Sequence, residues 1–306
     1  MKIRSYRFSG SSLLELHLAV LLLGMTGLFG KFLAVNPATI IAGRSLFTAV
    51  AIYALLRLLG ISRAVKSTRE AGLLLISGLV LALHWFAFFY SIQLSTVAIG
   101  VIGFSTYPVF VTLMEPLLFG ERLKLLDMIS GLLVFAGLLL VVPDFDITDS
   151  QTLALAWAVA SGWVLALFTL MNRKLVRRNH FLLITFYQHT SATLCVLPFV
   201  GLLGAWPDAG EIAMLALLGV IFTAIPQSLL VRALAVVKAQ LASVIVGLEP
   251  LYAIAFAALL LREIPSLTTV AGALVILFAV WVAIKSHAEP RRSGRPAEHQ
   301  QREQSR

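Results

Sequence analysis

Charge is what this sequence has least of. Asp, Glu, Lys and Arg make up 13% of its 306 residues, against 59% hydrophobic side chains, a balance far outside that of soluble globular domains. The scarcity excludes a water-soluble fold and points to an integral membrane protein whose solvent is the lipid bilayer. Cysteine is nearly absent. The single Cys195 rules out an internal disulfide and any cysteine-based metal site, and within its apolar run it reads as a small core residue. No glycine-rich loop carrying Lys and Ser or Thr is present to cradle phosphates, so no nucleotide is hydrolysed to drive a cycle. There is no His-Glu-x-x-His zinc motif and no pair of intramembrane Asp residues. Neither a metal nor an activated nucleophile is therefore expected, which argues against an enzyme, and no cofactor is implied. The net charge of +9 would suit nucleic acid, but the basic residues lie between apolar runs and do not alternate with aromatics, so that partner is excluded.

What the chain does have is apolar runs of helix length. A spanning helix needs about 20 apolar residues, and ten runs qualify, at about 14–35, 38–58, 71–92, 96–119, 124–142, 152–172, 181–203, 211–231, 239–261 and 267–285. The polar start up to Ser12 is not followed by a small-residue cleavage site, so the first run is expected to be retained as a span. With the start of the chain in the cytoplasm, the inner loops collect Arg57, Arg63, Lys66, Arg69, Arg122, Lys124, Arg173, Lys174, Arg177, Arg178, Arg232 and Lys238. The outer loops hold Asp144, Asp146, Asp149, Asp208 and Glu211, with Arg262 as their one basic residue. That asymmetry predicts both termini in the cytoplasm. Residues 286–306 turn to Arg, Pro, Glu and Gln without apolar periodicity and are expected to be a disordered basic tail.

The chain also repeats itself. Tyr107-Pro108-Val109 and Glu249-Pro250-Leu251 stand 142 positions apart, and the same offset lays Glu121 on Glu263. Each proline sits inside an apolar run, and each Glu precedes another run with a glycine, Gly131 in the first and Gly272 in the second. Five spans per copy is an odd number, so the second copy enters the membrane reversed. The expected fold is all-α and integral to the membrane: ten transmembrane helices as two inverted five-helix repeats, over 14–142 and 152–285. Matched helices broken by proline, which removes a backbone donor, point to a transport site with Pro108 and Pro250 at its hinges.

Ionisable side chains inside a bilayer cost about 2.5–3.5 kcal/mol each on insertion scales, so each deserves weighing. Lys31 and Arg44 lie one to two turns from the outer ends of the first two runs. Lys31 either snorkels outward or meets a substrate, and Arg44, followed by Ser45 and Thr48, is expected to face a polar cavity and bind an anionic group. His84 shares a helical face with Ser77, Phe88, Ser91 and Ser95; it is either a packing residue or a substrate or proton site. Gly100 and Gly103 share a face with Tyr107 and favour close helix packing. Glu115 either reaches the headgroups with Arg122 or serves as a gate. Glu249, deep in its run beside Pro250, is paired with a cation from another helix or exposed to a wet cavity. Gln188 and His189 mark a polar face of the seventh run, and Gln227 follows Pro226 in the eighth. Trp85, Phe88 and Trp163 either stack on substrate or pack against lipid and core.

Phe29-Gly30-Lys31-Phe32, Gly43-Arg44-Ser45-Leu46, Ser95-Thr96-Val97-Ala98, Gly120-Glu121-Arg122 and Gly247-Leu248-Glu249-Pro250, in this order over about 14–285, resemble the EamA-type branch of the drug/metabolite transporter superfamily. The second repeat departs from the pattern where Arg262 replaces the glycine found before Glu121. The resemblance implies helices one to four and six to nine around a central cavity, with the fifth and tenth outside, and export or exchange of small metabolites. The four-helix multidrug relatives use a carboxylate within their first helix; here Glu15 stands only at its start, so cationic drug antiport by that route is not expected. The function expected is a secondary carrier of a bacterial-type inner membrane, a monomer or homodimer, that exports or exchanges an amino-acid-like metabolite. Proton coupling, if present, falls to His84, His189 or Glu249. Import is an alternative, as is a non-transporting membrane enzyme or receptor.

Overall fold

Inside hydrocarbon every backbone N–H and C=O must find its partner within the chain, and a helix satisfies them along its own length. The computed structural model describes residues 10–119, 125–141, 149–203, 206–234, 245–246 and 248–288, and among these every regular element is a helix and none is a strand. The order is α1 (Gly10–Gly24), the short α2 (Phe29–Phe32), α3 (Pro37–Leu58), α4 (Thr68–Leu94), α5 (Val97–Phe104), α6 (Tyr107–Phe119) and α7 (Leu125–Val141). Then follow α8 (Ser150–Leu175), α9 (Phe181–Leu203), α10 (Ala209–Gly219), α11 (Ile225–Ala233), α12 (Glu249–Leu260) and α13 (Leu267–Ala288). A 3-10 turn at Thr26–Leu28 joins α1 to α2, and a π turn at Val220–Ala224 joins α10 to α11. The last helix thus runs three residues into the segment expected to be a tail; Glu121 and the rest of the tail lie outside the described residues.

Seven stretches are long and apolar enough to cross a membrane, from Leu14–Phe32 to Ala209–Ala233. Three more are shorter: Met128–Val141, Glu249–Leu260 and Leu267–Val282. The chain is a multi-pass membrane protein.

Polar side chains set where the helices begin. Asn36 accepts from Thr39 N at 2.9 Å, Ser67 from Glu70 N at 3.2 Å and Thr96 from Ile99 N at 3.2 Å. Asp208 and Glu211 form a reciprocal capping box. Each cap supplies about 1 kcal/mol by satisfying an amide that the helix leaves free. Large apolar side chains such as Leu58, Leu132, Leu194 and Leu259 are exposed, as befits surface facing lipid. Cys195 corrects the expectation of a core position: it is exposed, on the same outward stretch of α9 as Leu194, Leu197 and Phe199. An apolar run has the same composition whether it faces lipid or core, so the sequence did not separate the two.

Neighbouring helices pair in a regular way. α7 packs along α13, α3 along α9, and α5 against α12, while α4 packs on α8 and α9, α1 on α11 and α3 on α10. At the α7–α13 contact, a Cβ on Gly137 would lie 2.6 Å from Ile276 Cγ1, and one on Gly272 would lie 2.6 Å from the Gly137 carbonyl oxygen. The glycine opposite Gly272 is therefore Gly137 and not Gly131, around which there is open space.

Hydrogen bonds sort the links into two ends. Lys66 Nζ donates to the Arg178 carbonyl at 3.0 Å, the Tyr187 hydroxyl to the Arg63 carbonyl at 3.0 Å, and Asn179 Nδ2 to Glu70 at 2.7 Å. These tie the basic links 59–67 and 176–180 to each other and to the adjoining ends of α4 and α9. At the other end Lys31 Nζ donates to the Ser95 carbonyl, Gln93 Nε2 to the Val35 carbonyl at 2.8 Å, and Val97 N to Glu263 at 2.9 Å.

Candidate functional site

Arg44 is buried to 1% exposure in the interior of α3, and its charge is met from two elements. Nε and Nη2 donate to Thr223 Oγ1 at 3.2 and 2.9 Å, and the guanidinium lies 4.0 Å above the Trp85 ring and 5.4 Å from that of Phe89. Cation–π contact of this kind is strongest when the cation is desolvated. The local sequence explains how Thr223 comes to be there. Pro226 lacks the N–H that would bond back to residue 222, and the ladder just before it widens into the π turn. Within that turn Thr223 Oγ1 donates to the Leu218 carbonyl at 2.7 Å and turns its lone pairs to the arginine. The approach of α3 to this stretch depends on Gly219: a Cβ there would meet the Arg44 carbonyl oxygen at 2.6 Å, and the Gly219 carbonyl accepts from Thr48 Oγ1 at 2.6 Å.

Glu249 is the first residue of α12 and is 5% exposed. A carboxylate in the first turn is favoured by the unpaired amides and the dipole of the half-helix, which offsets part of the cost of its depth. Pro250 follows in the first turn, where its missing N–H removes nothing. In the other half the same position is taken by Tyr107, first residue of α6 and followed by Pro108. Both prolines therefore stand at the second position of a helix, Pro108 after the break at Ser105 and Thr106. Before Tyr107 the break is closed by the Thr106 hydroxyl bonding to the Gly103 carbonyl at 2.7 Å.

Arg44 and Glu249 line one cavity of about 60 Å³ together with Thr26, His84, Trp85 and Gln227. No ion pair joins them. A second cavity of about 60 Å³ adjoins it, lined by Tyr107, Thr169, Asn172 and Phe168, and the two share Leu165, Gln227, Leu230 and Val246. The second lies toward the end of the molecule where α8 and α11 finish in Arg173, Lys174 and Arg232. Among the described lining residues none comes from α7 or α13.

The remaining sequence expectations fall as follows. His84 lines the first cavity, with Nδ1 at 2.8 Å from the Ser161 hydroxyl and 3.1 Å from its carbonyl oxygen and the ring between Phe88 and Phe104. His189 is fully buried beside Trp85, and neither ring nitrogen has a partner. Gln188 lines neither cavity. Its Nε2 donates to Ser77 Oγ at 2.9 Å and to Asn172 Oδ1 at 2.7 Å, so it stands behind Asn172. Lys31 also lines neither cavity; its ammonium is tied to the Ser95 carbonyl, at the end where α4 meets α5. The Glu115 side chain lies outside the described residues. Trp163 is exposed, whereas Trp85 and Phe88 reach the cavity. Thr223, Asn172 and Thr169 were missed, their only signal being polar atoms inside or at the edge of apolar runs. Among the described residues no cluster of His, Cys, Asp or Glu could hold a metal ion.

The sequence profile of the EamA-like transporter family matches residues 11–142 and, a second time, residues 152–285. An uncharacterized transporter of Archaeoglobus fulgidus is 33% identical over 84 residues, 28% of this chain and 30% of the relative's length. The pseudopaline exporter CntI of Pseudomonas aeruginosa is 28% identical over 263 residues, covering 83% of this chain and 89% of the exporter. A solved crystal structure shares the fold with a TM-score of 0.69 at 18% identity, over 93% of this chain and 99% of the other.

Proposed function

Since the chain belongs to the EamA-like transporter family, we propose that it exports or exchanges a small zwitterionic metabolite, amino-acid-like in its head group, across a bacterial-type inner membrane. Two inverted halves of five helices each, with both termini in the cytoplasm, rock about the mid-membrane cavity and expose it to each side in turn.

One observation carries the substrate class: Arg44 and Glu249 share a cavity without pairing. A cation held only by a neutral hydroxyl and aromatic faces, and a carboxylate in the same cavity without an ion-pair partner, each keep attraction to spare for an opposite charge. A zwitterion meets both, its carboxylate on the guanidinium N–H groups that Thr223 leaves free and its ammonium on Glu249. The inverted arrangement is supported by the family profile matching twice, and by the contacts. With an offset of 142 residues, the α7–α13 and α3–α9 contacts each join corresponding elements, and α4–α8 has its counterpart in α1–α11. Exchange of that kind is what a twofold relation between halves produces. Export rather than import is favoured by the likeness to a protein named as an exporter. The basic end, toward which the cavities extend, is the cytoplasmic one by charge asymmetry.

The test is counterflow in proteoliposomes with radiolabelled amino acids. Uptake driven by an internal pool is expected, with Arg44→Ala and Glu249→Gln each reducing it at least about tenfold. Counterflow by the intact protein that both substitutions leave untouched would sink the reading. An imposed pH gradient decides whether protons are coupled.

A further inference from the structure

The charged cavity accounts for a head group and leaves its neighbour unexplained. The second cavity opens directly from the first across Gln227, which lines both, so a substrate held at Arg44 and Glu249 has somewhere to put a side arm. Among its described lining residues there is no charged side chain; there are Tyr107, Thr169, Asn172 and Gln227, with aliphatic residues and Phe168 between them.

Asn172 is the best placed of these to choose what enters. It is 2% exposed and its orientation is fixed from behind, because Gln188 Nε2 donates to its Oδ1 at 2.7 Å while also holding Ser77 Oγ at 2.9 Å. With one carbonyl lone pair taken by Gln188, the amide keeps its N–H donors for the cavity, and donors outnumber the acceptor capacity left. Gln227, on the facing element α11, makes no hydrogen bond within the described chain and can supply either kind of group. On the strength of the transport reading above, we propose that this cavity is a second subsite, taking an uncharged arm that ends in a hydrogen-bond acceptor, an amide carbonyl or a hydroxyl, with Asn172 as the selecting residue. An aliphatic arm of the same length leaves buried donors unpaired. A carboxylate or ammonium arm surrenders its water without meeting an opposite charge among the described residues. Gln188 is a positioning residue: it acts through Asn172.

The experiment uses the full chain in proteoliposomes and radiolabelled glutamine as the tracer. Competitors share one α-amino-acid head and differ in the arm: glutamine, serine, norleucine, glutamate and lysine. Glutamine and serine are expected to inhibit at concentrations about tenfold lower than norleucine, glutamate or lysine. Asn172→Leu, near in size, should bring glutamine down to the norleucine value, and Gln227→Met on the opposite wall should compress the same ranking if Asn172→Leu does not fold. Arg44→Ala should weaken every competitor alike. Norleucine matching glutamine in the intact protein, or a ranking that survives both wall substitutions, overturns the subsite and leaves the zwitterion reading standing. Failure of every amino acid to compete would take both down.

Discussion

The Glu263 carboxylate, from the link between α12 and α13, accepts a hydrogen bond from Val97 N at the start of α5 at 2.9 Å. It thus supplies negative charge to a helix N-terminus in the opposite half of the chain. Lys31 is tied to the Ser95 carbonyl two residues earlier, so one short turn between α4 and α5 is held from two directions. This is the end away from the second cavity. A carrier that rocks must release these bonds when that end opens.

Removing the carboxylate should therefore shift the balance toward opening there. With Cys195 replaced by Ser and Thr26, which lines the cavity, changed to Cys, Glu263→Ala is expected to raise labelling by a membrane-impermeant maleimide from that side several-fold. A charge-assisted hydrogen bond contributes about 1.5–3 kcal/mol. Glu263→Gln, which keeps an acceptor, should fall between. Labelling identical in all three would show that the bond does not bear on access.

Arg262 has φ of 57°, the left-handed region, just after α12. Leu261 N and Glu263 N both bond to the Ala257 carbonyl, at 2.9 and 3.3 Å, closing the helix in the way that usually calls for glycine. Where the first half has Gly120 the second has a residue that strains the turn. Arg262→Gly is expected to raise stability by up to about 1 kcal/mol, read as a higher midpoint of thermal unfolding in detergent. A lower midpoint would mean that the arginine makes a compensating contact.

The glycines of α7 and α13 separate packing from transport. Gly137→Leu forces a side chain into Ile276 and the backbone of α13, and should cost about 1–3 kcal/mol. Gly131→Ala enters open space and should be neutral or stabilising by up to about 1 kcal/mol, since alanine is the better helix former. Neither helix contributes a described residue to the cavities. Substrate KM should therefore stay constant in Gly131→Ala and in whatever fraction of Gly137→Leu remains folded, with unfolding midpoints separating the two. A changed KM in Gly131→Ala would tie α7 to the site.

The elements a reader of the sequence could find are those announced by costly residues. Pro108 and Pro250 marked matched helix starts because a proline fits the first turn and not the interior, and Arg44 and Glu249 were conspicuous because charge at that depth is expensive. Depth along a helix does not say which way a side chain turns. Lys31 was open to either a snorkelling or a substrate role and Arg44 was expected at a polar cavity; Lys31 bonds to the Ser95 carbonyl, while Arg44 lines the cavity. Thr223 and Asn172 were invisible for the opposite reason. A threonine within Val220–Ala224 is unremarkable in a membrane helix, since its hydroxyl bonds to its own backbone. Asn172 stands beside Arg173 and Lys174 and reads as the start of a basic link. Their roles come from the π turn and from Gln188, which are tertiary facts.

Thr223 gives the sharpest test of how Arg44 is held. Its hydroxyl takes two guanidinium N–H bonds and returns one to Leu218, so Thr223→Val, equal in shape, removes an acceptor and leaves a buried cation short of partners. The penalty for such an orphaned group is about 1–3 kcal/mol. Arg44 can recover part of it by turning toward the substrate carboxylate or toward Glu249. If it turns to the substrate, affinity rises while turnover falls, because the bound state is stabilised. If it turns to Glu249, the two charges neutralise each other and KM rises about tenfold or more. The second outcome is expected, since Glu249 is always present and the substrate is not. Thr223→Ser should restore the parent KM. Counterflow measured over a range of substrate concentrations distinguishes the cases, and a KM unchanged in Thr223→Val would show that Trp85 alone suffices to hold the guanidinium in place.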